Sequence, residues 1–76
     1  MLNYSDFIVR DSKICGGRPV IRGTRVLLRT VVASLLDGDT VEVLLREFPT
    51  LREEAVRAVT AVLAESGEEA FSEALK

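Results

Sequence analysis

Ten consecutive positions, Gly16-Gly17-Arg18-Pro19-Val20-Ile21-Arg22-Gly23-Thr24-Arg25, hold three arginines and three glycines. A guanidinium is planar, permanently charged and able to grip phosphate or carboxylate with two parallel hydrogen bonds. Glycine lets the backbone approach whatever those arginines hold. Arg29 lies one helical turn beyond Arg25. Arg18, Arg22, Arg25 and Arg29 therefore form a candidate nucleic-acid-binding set, with Arg52 and Arg57 further along as secondary contacts. The target is a phosphate backbone or an acidic protein surface. The alternative is internal: ten acidic residues follow position 29, and Arg22 and Arg25 can instead pair with them to organise a strand-to-helix corner.

Other chemistries find little support. The chain has no His and a single Cys, so a zinc site and an internal disulfide are ruled out. No base accompanies Cys15, Ser34 or Thr24, and the carboxylates fall on amphipathic stretches where a solvated face is expected. The spacings of the Walker loop and of the dinucleotide fingerprint are absent. No catalytic residue, metal or cofactor is expected, and Cys15 reads as a small, partly buried filler.

The elements that position the arginines follow from periodicity. Seventy-six residues allow one domain, 1–76, with a stability of about 4–11 kcal/mol. Phe7-Ile8-Val9 and Val20-Ile21 are short β-prone runs separated by turn residues. Pro19 lacks a backbone donor, so its strand begins there or lies at an edge. Alternation puts Val20 and Arg22 on one face and Ile21 on the other. Residues 7–27 thus form a β segment with a basic corner. Residues 28–65 read as three helices. Leu28, Val31, Val32, Leu35 and Leu36 recur at helical spacing up to Asp37-Gly38-Asp39, where Gly38 suits a left-handed C-terminal position. Thr40 caps a second helix with Val41, Leu44, Leu45 and Phe48 on one face, ended by Pro49. Thr50 and Glu53 have capping-box spacing for a third helix from about Leu51 to Glu65. Its buried stripe is Leu51, Ala55, Val56, Val59, Val62 and Leu63. Ser66 and Glu69 repeat that spacing ahead of a short amphipathic helix over 66–76, carrying Ala70, Phe71, Ala74 and Leu75. That piece is too short to stand alone and must dock on its own domain or on a partner.

The net charge of −2 hides a split: +4 over residues 1–29 and −6 over 30–76. Such asymmetry favours a polyanion partner for the first part. Three helices with a tight Phe48-Pro49-Thr50 turn match a helix-turn-helix outline. The third helix, however, opens Arg52-Glu53-Glu54, and only Arg57 is placed to reach a guanine edge. Two strands so short leave open edges, which predicts a homodimer paired partly through residues 7–22; a hairpin packed on its own helices is the alternative. With no apolar run long enough to span a membrane and no basic-then-apolar start, the expected location is the cytoplasm.

The run from Ile14 to Val26, the Leu36-Asp37-Gly38 helix end and Glu47-Phe48-Pro49-Thr50-Leu51 together resemble the prokaryotic family called domain of unknown function 433. The likeness covers about residues 5–65. It implies a mainly α fold, with a short β segment before a helix-turn-helix-like (homeodomain-like) three-helix bundle. It also implies an antitoxin of a type II toxin–antitoxin pair, similar to the VapB45-like antitoxins, whose partner is a PIN-like ribonuclease toxin and which binds double-stranded DNA. Two positions depart from the family's habit: Arg52 stands where Ser or Thr caps the third helix, and Val62 where an aromatic is common. The C-terminal helix from Glu68, acidic and apolar on one side, is the expected toxin-facing piece.

Overall fold

The computed structural model describes residues 4–72. A 3-10 turn at Tyr4–Phe7 leads into β1 (Ile8–Val9). A second turn at Cys15–Gly17 precedes β2 (Val20–Ile21), and three helices follow, α1 (Leu28–Leu36), α2 (Val41–Glu47) and α3 (Glu53–Ser66). A last 3-10 turn, Glu68–Phe71, takes the place of the C-terminal helix; Ala74 and Leu75 lie outside the described residues. The fold is mainly helical with a short sheet in front, as the sequence predicts.

β1 and β2 are antiparallel, with Ile8 opposite Ile21 and Val9 opposite Val20. Pro19 directly precedes β2, where its missing donor breaks no ladder bond; its carbonyl accepts from the Leu28 amide at 3.0 Å. The chain then doubles back along the other side of β2. The Ile21 amide donates to Val26 O at 2.9 Å, and Val20 bridges Leu27. One of the two edges expected to need a second chain is thus closed from within, and β1 remains as the terminal strand of the sheet.

The turn before β2 has a backbone reason for its composition. Cys15, Gly16 and Gly17 all have positive φ, at 51°, 66° and 85°. Two of three consecutive left-handed positions are therefore glycine, and Cys15 bears the steric cost of the third. Cys15 is exposed rather than a partly buried filler. A left-handed backbone at this position turns its side chain outward, and the thiol donates weakly to Arg25 O at 3.5 Å.

The helix ends follow sequence chemistry in part. α1 closes in a Schellman motif: Gly38 N donates to Leu35 O and Asp39 N to Ser34 O, with Gly38 at φ 98°. Thr40 caps α2 by accepting from Val43 N at 3.2 Å. The expected capping box at Thr50 does not form. Leu51 N closes a turn onto Phe48 O at 2.9 Å, which traps Thr50 inside that turn, and α3 starts at Glu53 with Arg52 as an N-cap that makes no side-chain hydrogen bond. The Ser66 cap fails for a similar reason. Ser66 is the last residue of α3, and Gly67 becomes the uncapped lead into the final turn.

Ile21 from the sheet, Leu28, Val31 and Val32 from α1, and Leu44 from α2 meet Leu51 and the α3 stripe of Ala55, Val56 and Val59. Phe71 closes this core from the C-terminal side and is fully buried. α3 packs against α1, α2 and both terminal 3-10 turns, so it is the hub on which the arginine-bearing corner is mounted. None of the described helices is long and apolar enough to cross a membrane.

Candidate nucleic-acid interface

All six candidate arginines are exposed. Arg18, Arg22, Arg25, Arg29 and Arg52 form no ion pair with a carboxylate among the described residues. Among the described residues, Arg22 and Arg25 therefore make no inward pair with a downstream acid. Arg22, Arg25 and Arg29 line three different grooves, with the chain reversing at Gly23, which borders two of them.

Arg22 points toward the first turn of α3. Its Nε donates to Asp6 O at 3.0 Å, which ties the N-terminal 3-10 turn to the corner, while its backbone amide donates to Phe7 O at 2.6 Å. Arg22 and Arg52 line one small groove of about 150 Å³, together with Asp6, Phe7, Gly23 and Ala55. Val20 lines a different groove, and Arg22 follows directly after the end of β2. Arg25 lies beyond Gly23 on the rim of a second, apolar groove that has Val20 in its wall. Arg29 faces yet another place, a shallow space on α1 shared with Leu36 and Glu68. Arg18 lines none of the three.

Arg57 is the one candidate already engaged by a carboxylate of its own chain. Its Nε donates to Glu53 Oε2 at 2.7 Å, one turn earlier on α3. That hydrogen bond first, and the Glu53 charge second, push the Arg57 pKa further above its ordinary value. Both side chains are well exposed, so the pair does little for stability. It does occupy the guanidinium that the sequence had assigned to a base edge.

Arg22 and Arg52 converge where the opening of α3 adds to their field. Because Arg52 supplies no capping oxygen, the first amides of a 14-residue helix point toward the same side with no side chain accepting from them. Replacing Arg52 by Ser supplies that acceptor. The expected gain is about 1 kcal/mol, or a rise of about 4–8 °C in melting temperature; an unchanged melting curve for R52S would show that the first turn needs no cap.

Thr24 holds the corner rigid and was missed as a functional position. It is 8% exposed, and its hydroxyl donates to Ile21 O at 2.8 Å and accepts from Val26 N at 3.0 Å. Both bonds lie inside the reversal that separates Arg22 from Arg25. The clue in the sequence was a hydroxyl residue directly after the turn glycine, where such side chains bond the local backbone. Thr24→Val keeps the shape and removes both bonds, at an expected cost of about 1–3 kcal/mol. A urea midpoint equal to that of the parent would contradict this role.

The model of the family described as "Protein of unknown function (DUF433)" matches residues 8–61, which contain the corner, both strands, α1, α2 and the start of α3. The chain belongs to this family. "Uncharacterized protein y4eO" of Sinorhizobium fredii (strain NBRC 101917 / NGR234) is 40% identical over 52 residues, covering 68% of this chain and 24% of that protein. The matched stretch is thus about a quarter of the relative's length. No solved structure matches the chain.

Proposed function

We propose that this DUF433 chain is an antitoxin-like DNA-binding protein of a toxin–antitoxin pair, a cytoplasmic homodimer that represses its own promoter and neutralises its toxin. The observation that carries the reading is the convergence of Arg22 and Arg52, exposed and without a carboxylate partner among the described residues, at the opening of α3. Two guanidinium groups on one groove suit a phosphate oxygen better than a neutral ligand. Arg18, Arg25 and Arg29 add positive charge around the corner, and Arg57 contributes once released from Glu53. Pairing through β1, the terminal strand, would set two such corners on one duplex. The partner that such a system needs is a nuclease of the PIN-like class. The final turn offers it Glu68 and Glu69, since Phe71 is committed to the chain's own core.

The deciding experiment titrates the protein with the duplex immediately upstream of its own reading frame and with a scrambled duplex, at several salt concentrations. Each neutralised phosphate contributes about −0.9 to the log–log slope. A dimer using Arg22 and Arg52 alone gives about −4, and one that also uses Arg18 and Arg29 about −7. A flat salt response, or equal affinity for the scrambled duplex, removes the reading. A protein-interaction module that binds no nucleic acid is the second reading, and the apolar groove beside Arg25 favours it.

A further inference from the structure

A second groove, distinct from the one lined by Arg22 and Arg52, also has Gly23 in its lining. It has a volume of about 710 Å³ and is open to solvent. Val9, Val20, Val26, Leu27 and Phe48 are among its walls, contributed by both strands, the returning segment and the end of α2. Val20 is buried on the groove side of the sheet, apart from the helical core that takes Ile21. A mostly apolar concavity of this volume is within the range that binding sites occupy. Nucleic acid is a poor occupant, because apart from Arg25 at the rim the lining is mostly apolar.

The polar groups are few and lie at the margin. Arg25 is exposed there and meets no carboxylate among the described residues, although the chain carries twelve acidic residues. Thr30 and Thr50 add hydroxyls with no side-chain hydrogen bond among the described residues. The Cys15 thiol and the two Thr24 bonds fix the backbone on either side of Arg25, so the cation stands on a braced rim. Apolar walls with one unanswered cation at the edge call for an apolar ligand bearing one negative charge. Openness selects among such ligands, since small molecules are held in cavities that bury most of their surface.

We propose that this groove docks a short extended segment of a partner protein, apolar side chains inward and one carboxylate on Arg25. The proposal goes beyond nucleic-acid binding and is independent of it, since it uses Arg25 and the groove rather than Arg22 and Arg52. The matched stretch covers 24% of its Sinorhizobium relative, so in that protein it is joined to further polypeptide.

The test needs no DNA. The full chain, labelled with nitrogen-15, is titrated with three capped pentapeptides: Leu-Val-Asp-Val-Leu and its Asn-centred and Lys-centred counterparts. The Asp peptide is expected to shift the amides of Ile14, Thr24, Val26 and Thr50, and to bind up to about fivefold tighter than the Asn peptide, the scale of a partly exposed ion pair. Arg25→Gln should abolish that preference. Arg25→Glu should transfer it to the Lys peptide, which a merely structural role for Arg25 cannot do. Equal binding of the Asp and Asn peptides overturns the proposal, as does the absence of groove shifts with every peptide at millimolar concentration. Tighter binding of octanoate than of the Asp peptide would reassign the groove to small amphiphiles. Groove amides that move with protein concentration alone would reassign it to a second copy of the chain. Either result also overturns the proposal. Loss of salt-dependent DNA binding in R22Q/R52Q, with the Asp-over-Asn peptide preference kept, separates this inference from the nucleic-acid reading, because neither residue lines this groove.

Discussion

Phe71→Ala is expected to cost about 3–5 kcal/mol, the range for emptying a fully buried aromatic site. The domain has about 4–11 kcal/mol to lose, so the variant sits at or near the edge of folding. Phe71 is 0% exposed and belongs to the same cluster as Ile21, Leu28 and the α3 stripe. It arrives there on a single 3-10 turn, whose backbone bonds include Ser72 N to Glu69 O at 3.1 Å. The melting temperature should fall by more than 12 °C, at about 4–8 °C for each kcal/mol. Leu36→Ala is the control: Leu36 is 53% exposed and its loss should stay within about 0.5 kcal/mol. A variant F71A that melts within a few degrees of the parent would mean that the final turn is an appendage, free to serve a partner.

That contrast shows where sequence reasoning reached and where it stopped. Periodicity located the three helices because their apolar residues face one shared core, and burial of that kind leaves a repeating trace. Thr40 and Gly38 were legible because each acts on backbone groups within a few residues of itself. Phe71 was seen as apolar, but whether it met its own domain or another depended on a long-range contact that local spacing does not encode. Thr50 failed as a cap for a related reason. The capping-box spacing was present, yet the turn from Phe48 to Leu51 had already claimed that stretch of backbone. The arginines are the sharper case. Their density in ten residues was visible, but the left-handed Gly23, at φ 79°, reverses the chain between Arg22 and Arg25. A motif that looks like one cluster when written in a line becomes two surfaces when folded.

The double variant R22Q/R52Q tests the surface on which the functional reading depends. Gln keeps length and polarity and removes the charge. Arg52 makes no side-chain cap, so its loss should leave the fold intact. Arg22 gives up its bond to Asp6 O at 3.0 Å, an exposed contact worth at most about 1 kcal/mol. The melting temperature should therefore fall by less than about 8 °C. DNA affinity should respond far more. A dimer loses four charge-assisted phosphate contacts, and even with strong non-additivity this amounts to at least a hundredfold weaker binding near 0.1 M salt. The salt slope should become shallower by about 3.6. The two readouts must move apart. Weak binding with an unchanged slope would mean that phosphate was never at these guanidinium groups, and a collapse in stability with binding kept among the folded fraction would make Arg22 a strut for the N-terminal turn. Restoring charge with Arg22→Lys and Arg52→Lys should recover most of the slope but only part of the affinity. An ammonium supplies the charge that releases a counterion, yet it cannot offer the two-pronged grip of a guanidinium.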